Sequence, residues 1–509
     1  MVHTFAAIDV GSFELTMKIF EYGGKKQMKE IDCLVTGLSL GADTYATGKI
    51  SKEKVEELCH VLSHFSDVMR AYKCEYYKAY GTSAIRETEN SEILIDLIET
   101  RTGIRIDTLS NSEQRFLDYK SIAQAGDIFY SAIQDSAAIL DIGGGSIQIS
   151  LFDEDSLVST QNLRLGVLRI RERVESLGAD PYRMRLLEEE LIDAQLLTYK
   201  KLFLSGPVKN LIVMDDYISQ CIRRKATGTK SGCLSKKEYL ELLNDLTVKG
   251  TFETSRKWGV PEEKVPLIRI SGLLVKNLCN ILKSEMIYAP GVTLSDGIAY
   301  EFAEEKKIIK PVHDFEKDII ACALNISRRY KGSQSRAETL RQISGNVFDA
   351  VKKIGGLNKR DKLYLDIASI LHDCGKYIAM TEIGERSYEI IMATEIIGLS
   401  HHEREIVANI VRFNHSEFEY SEMERGAAGA LGSDGYIKVA KLTAILRLAN
   451  SLDRSHKQKF KEIKASLSGN ELELKFSTPQ TFLLEEAFFP EAADFFEEIY
   501  SVRPVIIRS

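Results

Sequence analysis

Two stretches of this chain share one pattern: an apolar strand, an aspartate, a glycine turn and a second apolar strand. Residues 137–150 read AAILDIGGGSIQIS, and residues 6–20 read AAIDVGSFELTMKIF. Setting Asp9 on Asp141 brings Gly11 onto Gly143, Lys18 onto Ser150 and Phe20 onto Phe152. Two hairpins of one design predict an internal duplication, one copy in each lobe of a two-lobed domain. Between them the period changes to that of helices. Val55, Leu58, Leu62, Phe65, Val68 and Met69 mark a helix over 51–72 with Ser51 at its N-cap. A strand at 76–80 runs into Gly81-Thr82-Ser83 and a helix-like segment over 84–90. A helix at 92–102, a strand at 104–109 and a helix opened by Asn111 or Ser112 follow. Beyond the second hairpin come a long helix at 182–203, a short apolar strand at 210–214, helices at 235–244 and 251–258, and an apolar helix at 267–282. Everything from 315 to about 456 reads as helix. After 460 the pattern returns to strands at 462–468 and 471–477, a helix at 487–500 and a strand at 504–508.

The fold class expected is therefore α/β: a duplicated two-lobed domain, an all-α domain and a small α/β cap. The boundaries are drawn at 1–125, 126–305, 306–458 and 459–509, with the charged stretch around Pro311 as linker. A chain of 509 residues accommodates that many units.

Composition narrows the function classes. A net charge of −7 argues against a general nucleic-acid binder, which usually carries a basic excess. A polyanionic substrate would need a locally basic groove, for which Arg223-Arg224-Lys225 is one candidate. The eight cysteines lack any CxxC pair and read as reduced thiols of a cytoplasmic protein. The N-terminus MVHTFAAIDV shows no signal peptide and no membrane span is expected.

The chemistry points to phosphate. Gly143, Gly144 and Gly145 before Ser146 let the backbone present N–H groups to an anion, and Gly11 and Ser12 repeat the arrangement. Thr82 and Ser83 follow a strand and open a helix, a second anion-binding geometry, with Arg86 in its first turn. Glu113 would lie in the first turn of its helix, where the dipole keeps a carboxylate ionised.

These residues also carry a resemblance. DVGS at 9–12, GTSAIRETEN at 81–90, SNSEQRFL at 110–117, LDIGGGS at 140–146, LRLGVLRIRE at 163–172 and LSDGIAYE at 294–301 resemble, in order and spacing, the exopolyphosphatase/guanosine pentaphosphate phosphohydrolase family. That family is a branch of the actin-like, sugar-kinase-like ATPase superfamily. The resemblance implies a duplicated actin-like domain and hydrolysis of terminal phosphoanhydride bonds of inorganic polyphosphate, or of the 5′-γ-phosphate of guanosine pentaphosphate. It implies Glu113 as the base that activates water, Mg²⁺ held by Asp141, Gln148 and Asp9, further phosphates bound by Arg86 and Arg164, and a homodimer. Two departures are visible. Phe13 and Glu14 follow Ser12 where the family carries Asn and Ser, and Gln148 stands where it carries a carboxylate. Glu14 would either repel substrate or supply a replacement metal ligand. Competing readings are a polyphosphate or alarmone sensor that has lost turnover, and an ATP-dependent kinase or ATPase of the same superfamily.

In the helical region, Leu371-His372-Asp373-Cys374-Gly375-Lys376 resembles the His-Asp signature of the HD phosphohydrolases. The resemblance implies two further ligands, an upstream His and a later Asp, but Arg336 and Asn450 occupy those places. A cation and a neutral amide cannot replace them. This domain is expected to be structural or regulatory, and His401, His402 and His415 to be ordinary histidines.

Overall fold

Both glycine turns close in the same way. The amide of Gly11 donates to the Glu14 carbonyl at 3.1 Å, and the amide of Gly143 donates to the Ser146 carbonyl at 2.9 Å, the equivalent pair in the second copy. In the first, β1 (His3–Val10) pairs antiparallel with β2 (Glu14–Tyr22), Asp9 opposite Thr16. In the second, β6 (Ser136–Ile142) pairs antiparallel with β7 (Ile147–Asp153), Asp141 opposite Gln148. The computed structural model describes residues 3–23, 28–124, 126, 132–154, 156–178, 180–227, 232–311, 313–420, 431–460 and 463–508. They divide into two compact units, Met1–Asp314 and Phe315–Ser509.

The duplication extends to whole sheets. The first runs β3-β2-β1-β4-β5, with β3 at Met28–Gly37, β4 at Tyr76–Gly81 and β5 at Asp107–Thr108. The second runs β8-β7-β6-β9-β11-β10, with β8 at Ser156–Leu163, β9 at Asn210–Asp215, β10 at Cys233–Ser235 and β11 at Met286–Tyr288. In each, two antiparallel pairings precede two parallel ones. Even a register shift is duplicated, at Ile19/Phe20 in one sheet and Leu151/Phe152 in the other. Both faces of each central strand are covered, so β1 and β6 read as nearly unbroken apolar runs. Residues at the carboxyl ends of β1, β4, β6 and β9 border one crevice, the place where open α/β sheets bind ligands.

The apolar helix Val265–Leu282 is buried along most of its length and anchors the core of the second lobe. The helix Leu294–Glu305, assigned from sequence to the second lobe, packs instead on the first sheet. Phe302 stacks on Phe5 with ring centroids 4.0 Å apart, Lys18 reaches Asp296 at 2.9 Å, and a Cβ on Gly297 would lie 2.1 Å from the Leu117 carbonyl oxygen. Apolar patterning marks a helix face as buried but does not say which sheet covers it.

Among the described residues the elements of the second unit from Phe315–Arg329 to Gly432–Ser451 are all helices, and the part of the expected helical stretch at 421–430 lies outside the described residues. It ends in a small sheet, β12 (Lys464–Ser468), β13 (Glu471–Phe476) and β14 (Arg503–Arg508), with the helix Leu483–Tyr500 beside it.

Candidate active site

Between the two glycine turns lies a cavity of about 60 Å³. Asp9, Gly11, Ser12, Thr82, Ser83, Asp141, Gly143, Gly144 and Ser146, all singled out from sequence, line it. The turns touch, since a Cβ on Gly144 would stand 2.7 Å from that of Ser12. Ser12 Oγ, Ser83 Oγ and the Tyr45 hydroxyl form a closed triangle with sides of 2.8–2.9 Å. Gly145 lies behind the cavity wall, where a Cβ would approach the Tyr45 hydroxyl to 2.2 Å. Arg169 clamps this corner, donating to the Gly145 carbonyl at 2.8 Å and to Glu87 at 2.6 Å while lying over the Tyr45 ring.

Gly166 makes the second turn possible. A Cβ there would sit 2.2 Å from the Gly144 carbonyl oxygen and 2.3 Å from Gly145 C, and backbone cannot step aside as a side chain can. Gly166→Ala is expected to lower unfolding free energy by about 1–3 kcal/mol, measured by denaturant melts. An unchanged midpoint would mean that the turn has room to move.

Several expected residues lie elsewhere. The helix predicted to open at Asn111 or Ser112 is capped one residue earlier, by Ser110, and spans Asn111–Ala123. That shift makes Glu113 the third helical residue, and its carboxylate accepts the Ser110 amide at 3.0 Å, completing a capping box. Glu113 does not line the cavity; Gln114 and Asp118, one turn apart on the same helix, do. Gln148, expected at the metal, also lies off the cavity lining. It is 2 % exposed and its Oε1 accepts from Arg115 Nε at 2.8 Å, in a separate recess behind Asp141. Its carbonyl oxygen is thus held by a guanidinium. Arg86 donates to the Leu109 carbonyl at 2.6 Å, Arg164 is exposed, and neither lines the cavity.

Sequence reading missed much of the lining: Gln114, Asp118, Asp215, Asp216 and Tyr217. Asp215 is spent locally, accepting the amides of Ile218 and Ser219 and the Ser271 hydroxyl. Glu14 pairs with Lys264 at 2.5 Å, which neutralises it beside the turn.

What remains is acidic and short of donors. Asp118 is 2 % and Asp141 8 % exposed. Asp9 Oδ1 and both Asp118 oxygens accept no hydrogen bond from any donor group, so Asp118 is satisfied only by a proton shared with Asp141. Burial, then the neighbouring Asp141 and Asp9 carboxyls, pushes Asp118 well above the usual carboxylate range. Burial likewise raises Asp141, against the lowering effect of Asp118's hydrogen bond and of Arg115. Asp9 is raised by burial and by Asp216, Glu14 and Asp141. Among the described residues no Lys or Arg lines the cavity, and no three His, Cys, Asp or Glu side chains stand close enough to enclose an ion. Buried oxygens without donors are nevertheless the chemistry that a hard divalent cation satisfies.

Known proteins resemble this chain along most of its length. It is 22% identical over 459 residues to the guanosine-5′-triphosphate,3′-diphosphate pyrophosphatase of Vibrio atlanticus, covering 87% of this chain and 86% of that protein. It is 26% identical over 192 residues to exopolyphosphatase 1 of Mycobacterium tuberculosis, which is 37% of this chain and 54% of that protein, so the chain spans about half the length of that relative. Among solved structures, an exopolyphosphatase from Cytophaga hutchinsonii superposes with a TM-score of 0.54 at 19% identity, covering 60% of this chain and 100% of that chain. A Ppx/GppA family member from Aquifex aeolicus superposes with a TM-score of 0.50 at 17% identity, covering 62% of this chain and 100% of that chain. The fold is the duplicated actin-like α/β architecture of these proteins, followed by a helical domain. With the model of the Ppx/GppA phosphatase family matching residues 19–306 and that of Ppx/GppA phosphatase domain III matching residues 320–491, the chain belongs to the Ppx/GppA phosphatase family.

Proposed function

We propose that this protein is a divalent-cation-dependent phosphohydrolase that removes the terminal phosphoryl group of inorganic polyphosphate or of guanosine pentaphosphate. One observation carries the reading: two facing Gly-Ser turns enclose a cavity in which Asp9 Oδ1 and both Asp118 oxygens lack donors, beside Asp141. The amides of Gly11 and Gly143 are spent on closing their turns, which leaves those of Ser12, Gly144 and Ser146 for a phosphoryl oxygen. A cation held by Asp9 and Asp141 would neutralise phosphate charge in a site whose lining supplies no basic side chain. Asp118, the buried carboxyl that lines the cavity beside Asp141, takes the role of base that Glu113 was expected to fill. A cation on Asp141 would displace the proton shared with Asp118 to solvent, leaving Asp118 an ionised carboxylate that could accept the proton of a water positioned against phosphorus. The Ser12 and Ser83 hydroxyls, held by Tyr45 behind them, would orient the leaving phosphate chain.

Phosphate release with Mg²⁺ from long polyphosphate, guanosine pentaphosphate and ATP tests the proposal. Release from either of the first two supports it. Tight binding without release would favour a sensor, and turnover of ATP alone a kinase-like ATPase. Gln148→Glu is expected to change the rate and its Mg²⁺ dependence by less than about threefold, because the new carboxylate would pair with Arg115. A large gain in Mg²⁺ affinity in that variant would return position 148 to the metal site.

A further inference from the structure

The second unit contains a cavity ten times the size of the first. It measures about 640 Å³ and is bordered by Arg336, Lys376, His415, Arg447 and, at its mouth, Arg454 and Phe488. That volume lies within the range of small-molecule sites. Its wall presents four Lys or Arg side chains against two acids, Glu417 and Glu491, both of them exposed at the rim where water screens them.

Arg336 is the centre of this site. It is 3 % exposed, donates to Asn450 Oδ1 at 2.6 Å, and contacts Asp453 at 3.3 Å and Asp373 at 3.6 Å. The two aspartates do not border the cavity, so they hold the guanidinium from behind. Its Nη1, the atom 3.6 Å from Asp373, makes no hydrogen bond. A buried cationic N–H without an acceptor is costly, and an anion in the cavity would supply the acceptor. Lys376 is held by Asp373 at 3.0 Å, and Arg447 by the carbonyls of Phe413 and Ser416, so both are fixed in place before any ligand arrives. Buried His372 and His415 are held below their usual range, mainly by burial, and stay neutral at pH 7.

The four residues aligned with an HD metal site, Arg336, His372, Asp373 and Asn450, thus do converge, with a guanidinium at their centre. From this we infer that the cavity binds a phosphorylated small molecule of nucleoside diphosphate size. Its phosphates would lie on Arg336, Lys376 and Arg447, and its organic part toward the Phe488 ring, over which Arg454 stacks at 4.4 Å. A fixed guanidinium recognises phosphate oxygens in pairs but activates no water, so this is a binding site without turnover.

Equilibrium dialysis of the full chain in EDTA with ADP, GDP and inorganic pyrophosphate tests this, since the acidic cleft of the first unit lacks its cation there. Saturable binding of a nucleoside diphosphate is expected. It should be weakened about tenfold or more by Lys376→Met and by Arg447→Met, and unchanged by Asp141→Asn in the cleft. Arg336→Met should abolish it; because Arg336 is buried and that change also strips the fold of its ion pairs, the two less buried positions carry the test, with melting curves as a control. Three results would overturn the inference: no saturable binding of either nucleotide, binding of pyrophosphate alone, or binding indifferent to Lys376 and Arg447. The cleft is separate, so phosphate release can fail while this site binds, and the reverse.

Discussion

Asp118→Asn is expected to lower phosphate release by about 100- to 10,000-fold, the usual share of a general base, while Glu113→Gln changes it by less than about threefold. Asp118 lines the cavity, is almost wholly buried and has no donor for either oxygen. Asparagine keeps its size but cannot accept the proton of water. Glu113 instead accepts the Ser110 amide as part of a helix cap, so its loss should appear as about 1 kcal/mol of stability. Steady-state rates at saturating Mg²⁺, with melting curves for both variants, separate the two roles. A dead Glu113→Gln enzyme beside an active Asp118→Asn enzyme would reverse the assignment and return the base to the position indicated by family resemblance. Loss in both would mean that the helix Asn111–Ala123 must keep its cap to aim Asp118.

Removing divalent cations with EDTA is expected to reduce turnover more than a hundredfold, and adding Mg²⁺ to raise the melting temperature at pH 8 far more than at pH 5. The second effect follows from the acid pair. In the cation-free chain the folded state holds its proton on Asp118 and Asp141 more tightly than the unfolded chain would. Folded protein therefore binds more protons from about pH 4, where free carboxyls titrate, to about 7, where Asp141 does. Through that window stability falls as pH rises, because the unfolded chain gives up its carboxyl protons while the buried pair in the folded chain still holds them. Above it a cation can take the proton's place, and at 100 times its dissociation constant it contributes about 2.7 kcal/mol. At pH 5 the proton competes, so the gain shrinks. Equal Mg²⁺ shifts at the two pH values would show that the ion binds elsewhere, and turnover unaffected by EDTA would remove the cation from the reaction.

The two lobes differ in how their acids are managed. Glu14, an extra charge beside the first turn, is answered by Lys264, which comes from the start of the helix Val265–Leu282 in the other lobe's sequence. Gln148 removes a charge beside the second turn, and Arg115 takes its oxygen. In both places the departure from the family pattern is matched by a partner at hydrogen-bond distance. This favours an adapted site over a decaying one and is why catalysis is preferred to the sensor reading.

The amino-acid sequence by itself determined the duplication, the two glycine turns and the placement of Asp9 and Asp141 at the ends of their strands. Strand alternation and the glycine requirement of a tight turn act over a few neighbouring residues, so they are written in the local order. The helical character of the described residues in 315–456 and the four residues around the HD-like signature were legible for the same reason. Tertiary structure alone decided which carboxylate faces the cavity. A one-residue difference in the N-cap turned Glu113 into a helix cap and carried Gln114 and Asp118 to the cleft, and a 3.6-residue period makes so small a shift a change of face. It also decided that Tyr45, far along the chain, would join Ser12 and Ser83, that the helix Leu294–Glu305 would return to the first sheet, and that Arg336 would border an open basic cavity. Those outcomes depend on which distant surfaces pack together, and no local pattern in the chain records that choice.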